Sequence, residues 1–134
     1  MNWLDKLRPL GLLLLRIALG VVFMYHGFPK LFGDTAVYTR AFASYGLPGY
    51  VSYVAGIIEL FGGALLLLGL FTRPAALLLT AAMAVALWKI GLARGLLAVS
   101  EYEFHLALLA ASFALTTTGA GALSLDYAIF RQKA

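Results

Sequence analysis

Residues 10–28 read LGLLLLRIALGVVFMYHGF and residues 51–71 read VSYVAGIIELFGGALLLLGLF. Each run is about as long as a helix needs to be to cross ~30 Å of hydrocarbon at ~1.5 Å per residue. Each carries one charge in its interior, Arg16 in the first and Glu59 in the second. Two further apolar segments, residues 75–92 and 104–123, follow the Thr72-Arg73-Pro74 breaker. The expected fold is therefore all-α, a four-transmembrane-helix bundle forming one domain over residues 1–134. Composition agrees, because 63% of the 134 residues are hydrophobic, 12% are charged and the mean hydropathy is +0.92. A water-soluble domain this small has too little interior to hide so much apolar surface.

Residues 33–50 read as the one sizeable loop, and Arg73-Pro74 as a tight turn between the second and third spans. Lys6 and Arg8 precede an apolar stretch in the manner of a secretory signal. Arg16 interrupts that stretch, and the A-x-A at Ala41-Phe42-Ala43 lies too far downstream for cleavage, so a retained helix is expected. Four spans place both termini on one side. Lys6, Arg8, Arg73, Arg131 and Lys133 fall there, against Lys30, Arg40, Lys89 and Arg94 opposite, a bias toward cytoplasmic termini. The chain has no cysteine, so it offers neither thiol redox chemistry nor iron–sulfur ligation. Its net charge of +4 is scattered, which suits a bilayer and not a nucleic acid.

The polar residues fall into helical stripes. Arg16, Gly20, Phe23, Gly27 and Lys30 follow at steps of four and three, as do Ser52, Gly56, Glu59, Gly63 and Leu66. Glycines flank both charges, and small residues let helices approach closely in lipid, so both stripes are expected to face the bundle interior. The fourth span carries Glu101, His105, Ser112 and Thr116. In the third, Trp88 and Lys89 read as interface residues, an aromatic beside a snorkelling cation.

Arg16 lies roughly 9 Å into its span at ~1.5 Å per residue, so snorkelling to the headgroups is an alternative to an interior role. Glu59 lies roughly 12 Å deep by the same rise and is short; a carboxylate there must pair, hydrogen-bond or stay protonated. It is the candidate proton acceptor, and Arg16, His26, Lys30 and His105 are the candidate ligand-binding residues. His26 and Lys30 are equally open to reading as interface residues, and His105 as a helix-end group. Arg16 and Glu59 differ in height by roughly 8 Å at ~1.5 Å per residue, which argues against a direct pair. Glu59 is expected instead to floor an outward-facing polar pocket walled by His26, Lys30 and His105.

The segments Leu15-Arg16-Ile17-Ala18-Leu19-Gly20, Phe23 and His26-Gly27-Phe28-Pro29-Lys30-Leu31 resemble the first-helix signature of the DoxX family of small four-helix membrane proteins. The resemblance continues through residues 59–74, from Glu59-Leu60-Phe61-Gly62-Gly63 to Thr72-Arg73-Pro74, and ends in residues 118–126, Thr118 to Asp126. Ala120 departs from it, standing where many relatives have proline, a change at a helix end. The resemblance implies an integral protein of the bacterial cytoplasmic membrane. It also implies company among a thiosulfate:quinone oxidoreductase subunit and components of membrane-associated oxidative-stress complexes.

Two functions are compatible with these features. One is a redox-associated membrane component that binds a quinone, with a redox subunit as partner. Such a ligand needs an apolar slot, donors for its carbonyl oxygens and a carboxylate or histidine in reach, and Phe23, Phe28 and Tyr53 are candidate walls. The other is a non-catalytic scaffold or small-solute carrier that docks a partner or a second copy of itself. A b-type haem between His26 and His105 has no supporting spacing. His26, His105, Glu101 and Glu103 suit zinc or iron in type but form no short motif, so no metal is assigned.

Overall fold

Left-handed glycines at positions 69, 95 and 119 mark where three of the long helices stop, and an aspartate, Asp126, caps the start of another at Thr72. The structure is a computed structural model describing residues 2–95, 97 and 99–130, with the side chains of residues 90–94 and 101 outside the described set. Glu101 of the fourth-span stripe, and Arg94, Arg131 and Lys133 of the charge balance, therefore lie outside the described residues or side chains. The elements are α1 (Asn2–Asp5), α2 (Arg8–Phe32), α3 (Thr35–Ser44), α4 (Val51–Leu68), α5 (Thr72–Arg94), α6 (Val99–Thr118) and α7 (Leu125–Phe130).

The four long helices α2, α4, α5 and α6 form the transmembrane bundle. Among the described residues, α2 and α4 are both long and apolar enough to cross a bilayer. Only 28% and 33% of their most apolar stretches are buried within the protein. The remainder, including Tyr25, Phe28, Ile57 and Phe61, points outward. Hydrocarbon solvates such a surface; water does not.

Two helix pairs build the bundle. In the first, α2 and α4 touch backbone to backbone: a Cβ added to Gly20 would lie 2.7 Å from the Gly63 carbonyl, and one on Gly63 would lie 2.8 Å from the Gly20 carbonyl. Gly27 is tighter still, at 2.5 Å from the Leu60 amide nitrogen. Helix association in lipid rests on close packing, so this glycine seam is the main α2–α4 contact. Gly27→Ala must push the helices apart because the obstructing atoms are backbone. We expect a loss of about 1–3 kcal/mol, read as a lower thermal midpoint of the purified protein. A midpoint equal to wild type would mean that the seam is looser than described. In the second pair α5 and α6 share the core of Ala75, Ala76, Leu79, Met83, Leu108 and Leu115, against which Leu19, Phe23 and Leu66 of the first pair close. The α4–α5 seam joining the pairs is looser.

Four expectations need correction, the first being that the fourth span reaches residue 123: α6 ends at Thr118, where Gly119 turns left-handed at φ 77°. The segment of residues 33–50 is not simply a loop, for it holds the ten-residue helix α3. Helix α4 stops at Leu68, short of Phe71, because Gly69 turns left-handed at φ 69° and Leu70 donates back to the Leu65 carbonyl at 2.9 Å. The tight turn accordingly lies at residues 69–71. Thr72, Arg73 and Pro74 are the first turn of α5, where a proline without an N–H costs nothing.

Candidate functional site

Lys30, in the last turn of α2, and Glu59, eight residues into α4, meet because the glycines around them let the two backbones close up. A Cβ on Gly56 would come within 3.0 Å of the Lys30 Cβ. The Lys30 ammonium donates to Glu59 Oε1 at 3.1 Å and lies 3.0 Å from Oε2. A further donation runs to the His26 carbonyl at 3.1 Å, so the lysine is held by its own helix end as well as by its partner. Only 12% of the Lys30 side chain and 6% of the Glu59 side chain are exposed.

This pair stands at the wall of a cavity of about 490 Å³ between α3, α4 and α5. Helix α4 presents Val51, Val54, Ala55, Ile58 and Glu59 to it, one helical face; α5 presents Leu78, Ala81, Ala82, Val85, Ala86 and Lys89, also one face. The alanines explain the space, since their side chains are too short to reach the opposing helix. Helix α3 roofs it with Tyr38 and Phe42, and Tyr45 follows just beyond. Tyr38 also lies beneath the Lys30 ammonium, 5.6 Å from ring centroid to nitrogen. From α6 comes His105, whose Nδ1 is buried with no hydrogen-bond partner among the described residues.

His26 lies alongside rather than within the cavity: its ring packs on Phe104 at 5.1 Å between centroids, next to His105 in sequence. Glu59, Lys30 and His105 thus line one cavity with His26 at its flank. Among the described residues no three His, Asp or Glu side chains converge as metal ligands would. The arrangement offers a cationic donor, a carboxylate and a histidine at the wall of a slot that is otherwise apolar apart from its tyrosines and Lys89, a set able to hold a carbonyl-bearing ring and exchange a proton with it.

Arg16 is placed at the other end of the bundle. Its Nε donates to the Ala120 carbonyl at 3.1 Å, and Nη1 donates to the carbonyls of Leu66 at 3.1 Å and Leu67 at 3.5 Å. Nη2 donates to the Leu123 carbonyl. With 1% exposure it does not snorkel. Leu66 lies seven residues beyond Glu59, about 10 Å along α4 at ~1.5 Å per residue, so Arg16 and Glu59 do not meet. The arginine gathers the orphan carbonyls at the end of α4 and in the turn after α6. Asp126, at the start of α7, interacts electrostatically with it. The Asp126 carboxylate accepts from the amides of Phe71 at 2.7 Å and Thr72 at 2.9 Å, capping α5.

The aromatic walls differ from those read in the sequence. Phe23 is fully buried in the core, Phe28 and Tyr53 face outward, and Tyr38, Phe42 and Tyr45 line the cavity instead. Their spacing of four and three was a helical stripe within the presumed loop. Lys89 lines the cavity as well as stacking near Trp88 at 4.6 Å. Asp126 had no local signal, because its partners lie more than fifty residues away.

The DoxX family profile matches residues 11–92, a span that includes Arg16, the α2–α4 seam, the Lys30–Glu59 pair and most of the cavity. A Bacillus subtilis (strain 168) protein named "Putative oxidoreductase CatD" is 34% identical over 130 residues, covering 97% of this chain and 95% of that one. An uncharacterized Haemophilus influenzae protein is 38% identical, covering 98% of this chain and 100% of its own. Inner membrane protein YphA of Escherichia coli (strain K12) is 34% identical, covering 89% and 90%. No solved structure matches the chain. With a family profile over most of its length and relatives aligned nearly end to end, this integral membrane protein belongs to the DoxX family.

Proposed function

We propose that the chain is a redox-associated component of the bacterial cytoplasmic membrane, both termini inside, that binds a quinone in the cavity between α3, α4 and α5. The observation that carries this reading is the placement of the Lys30–Glu59 pair and His105 at the wall of a largely apolar slot of about 490 Å³. Such a slot accepts a flat apolar ring, and the polar groups orient its oxygens. Lys30 and His105 serve the ring oxygens. In quinol oxidation the two hydroxyl protons leave, one to Glu59 and the other to the His105 imidazole, while the two electrons go to a partner redox subunit, and quinone reduction runs the same steps backward. The name of the Bacillus relative supports the redox part, and that of the Escherichia relative supports the inner membrane.

The test is equilibrium binding of a short-chain benzoquinone to protein in nanodiscs. Wild type is expected to bind. Ala86→Phe fills the slot from α5, and we expect it to lose at least about tenfold in affinity, ~1.4 kcal/mol, while its thermal midpoint stays level or rises. Unchanged affinity in Ala86→Phe would move the ligand elsewhere. No quinone binding by wild type, together with stoichiometric co-purification of another subunit, would replace this function with the scaffold role.

A further inference from the structure

The outer rim of the cavity is made from residues that face lipid. Val54 is 48% exposed, Leu78 56% and Val85 43%, yet all three also line the cavity. They belong to α4 and α5, the adjoining helices whose seam is loose, and the alanine face of α5 keeps them from closing it. From Leu78 to Lys89 the lining runs eleven residues along α5, about 16 Å at ~1.5 Å per residue, roughly half the hydrocarbon thickness. At the end nearer the α3–α4 loop the slot is roofed by Tyr38, Phe42 and Tyr45. Lys89 lies toward that roof, Glu59 is the deepest of the α4 lining residues, and the α5 lining at the far end, Leu78, Ala81 and Ala82, carries no charge.

We infer that the cavity is loaded sideways from the bilayer, through the seam between α4 and α5, and that its ligand is a tailed amphiphile. The polar head meets Lys30, Glu59 and His105, and the tail lies along the seam past Ala82 toward Leu78. This deepens the quinone reading and rests on it for the chemistry of the head. A water-soluble solute would find an aromatic roof over the charged groups and an apolar face at the other opening. A lipid-dissolved molecule meets a slot that continues its own solvent.

The absence of cysteine from the chain makes the test direct. A nitroxide placed through Ala82→Cys reports collisions with oxygen, which concentrates in hydrocarbon, and with a water-soluble nickel chelate. Reference nitroxides go at Phe61, which faces outward on α4, and at Gly46 in the loop. In liposomes the probe at position 82 is expected to match the Phe61 reference in oxygen accessibility within about twofold, with little nickel accessibility. Leu78→Trp, which narrows the seam, is expected to lower the oxygen value at least twofold. A decyl-tailed benzoquinone should lower it similarly, and the same ring without a tail should not.

Nickel accessibility equal to that at Gly46, or an oxygen value unmoved by Leu78→Trp, would overturn lateral loading. A lipid-like probe that responds to Leu78→Trp but to neither quinone would keep lateral loading and remove the quinone head.

Discussion

Arg16→Leu is expected to abolish the folded bundle or to lower its thermal midpoint further than any other single substitution in the membrane region. The substitution removes the guanidinium donor from the carbonyls of Leu67, Ala120 and Leu123 and leaves that of Leu66 with the Gly69 amide alone, at the joint where α4 ends and α6 turns into α7. An unsatisfied buried polar group costs about 1–3 kcal/mol, and no water stands ready at a residue 1% exposed, so the summed loss is expected to exceed about 4 kcal/mol. Arg16→Lys should rescue only part of this. A lysine presents one ammonium where the arginine fork spreads three nitrogens toward separate strands of backbone. Gly69 is tied to the same joint: it sits at φ 69°, and an added Cβ would lie 2.6 Å from the Ser124 Cβ and against the guanidinium. Thermal unfolding of detergent-purified variants is the measurement. Equal midpoints for wild type and Arg16→Leu would show that the carbonyls find other donors.

Glu59→Leu is expected to be the second most damaging change, and its partner variants separate charge from shape. Removing the carboxylate leaves the Lys30 ammonium 12% exposed without its counter-charge, and breaking a buried pair on one side typically costs about 3–5 kcal/mol. Glu59→Gln keeps an acceptor for Lys30 with nearly unchanged volume. It should assemble close to normally while losing the carboxylate proposed as proton acceptor, so under the proposed function quinone-linked turnover falls, and the midpoint falls less than in Glu59→Leu. The double variant Lys30→Met with Glu59→Leu removes both charges together and should recover most of the stability lost in Glu59→Leu alone. That recovery, measured as a thermal double-mutant cycle, distinguishes a buried ion pair from simple loss of packing. Additive losses from the two single substitutions would mean that the two groups are not coupled.

The two charges that stand out in the sequence have different work. Arg16 is a hub for helix ends, with every guanidinium nitrogen committed to backbone. Glu59 belongs to a cavity. Both look alike from a distance because each is a lone charge in an apolar run flanked by glycine at helical spacing. The difference lies in what surrounds them: orphan carbonyls around the first, an open alanine-lined slot beside the second.

Hydrophobic length and composition by themselves determined that this chain is a bundle of four membrane-crossing helices, since hydrocarbon admits few ways to satisfy a backbone. Helical spacing alone also put Gly20, Gly27, Gly56 and Gly63 on the faces where α2 and α4 touch, because such periodicity is local. Only the tertiary structure decided the partners. Lys30 finds Glu59 across 29 positions and Arg16 finds Ala120 across 104, and side-chain spacing along one helix carries no information about which carbonyl or carboxylate another helix brings alongside. The cavity is likewise a property of two helices failing to meet: its alanines are visible in the sequence, but the space they leave exists only once α4 and α5 are set side by side beneath α3.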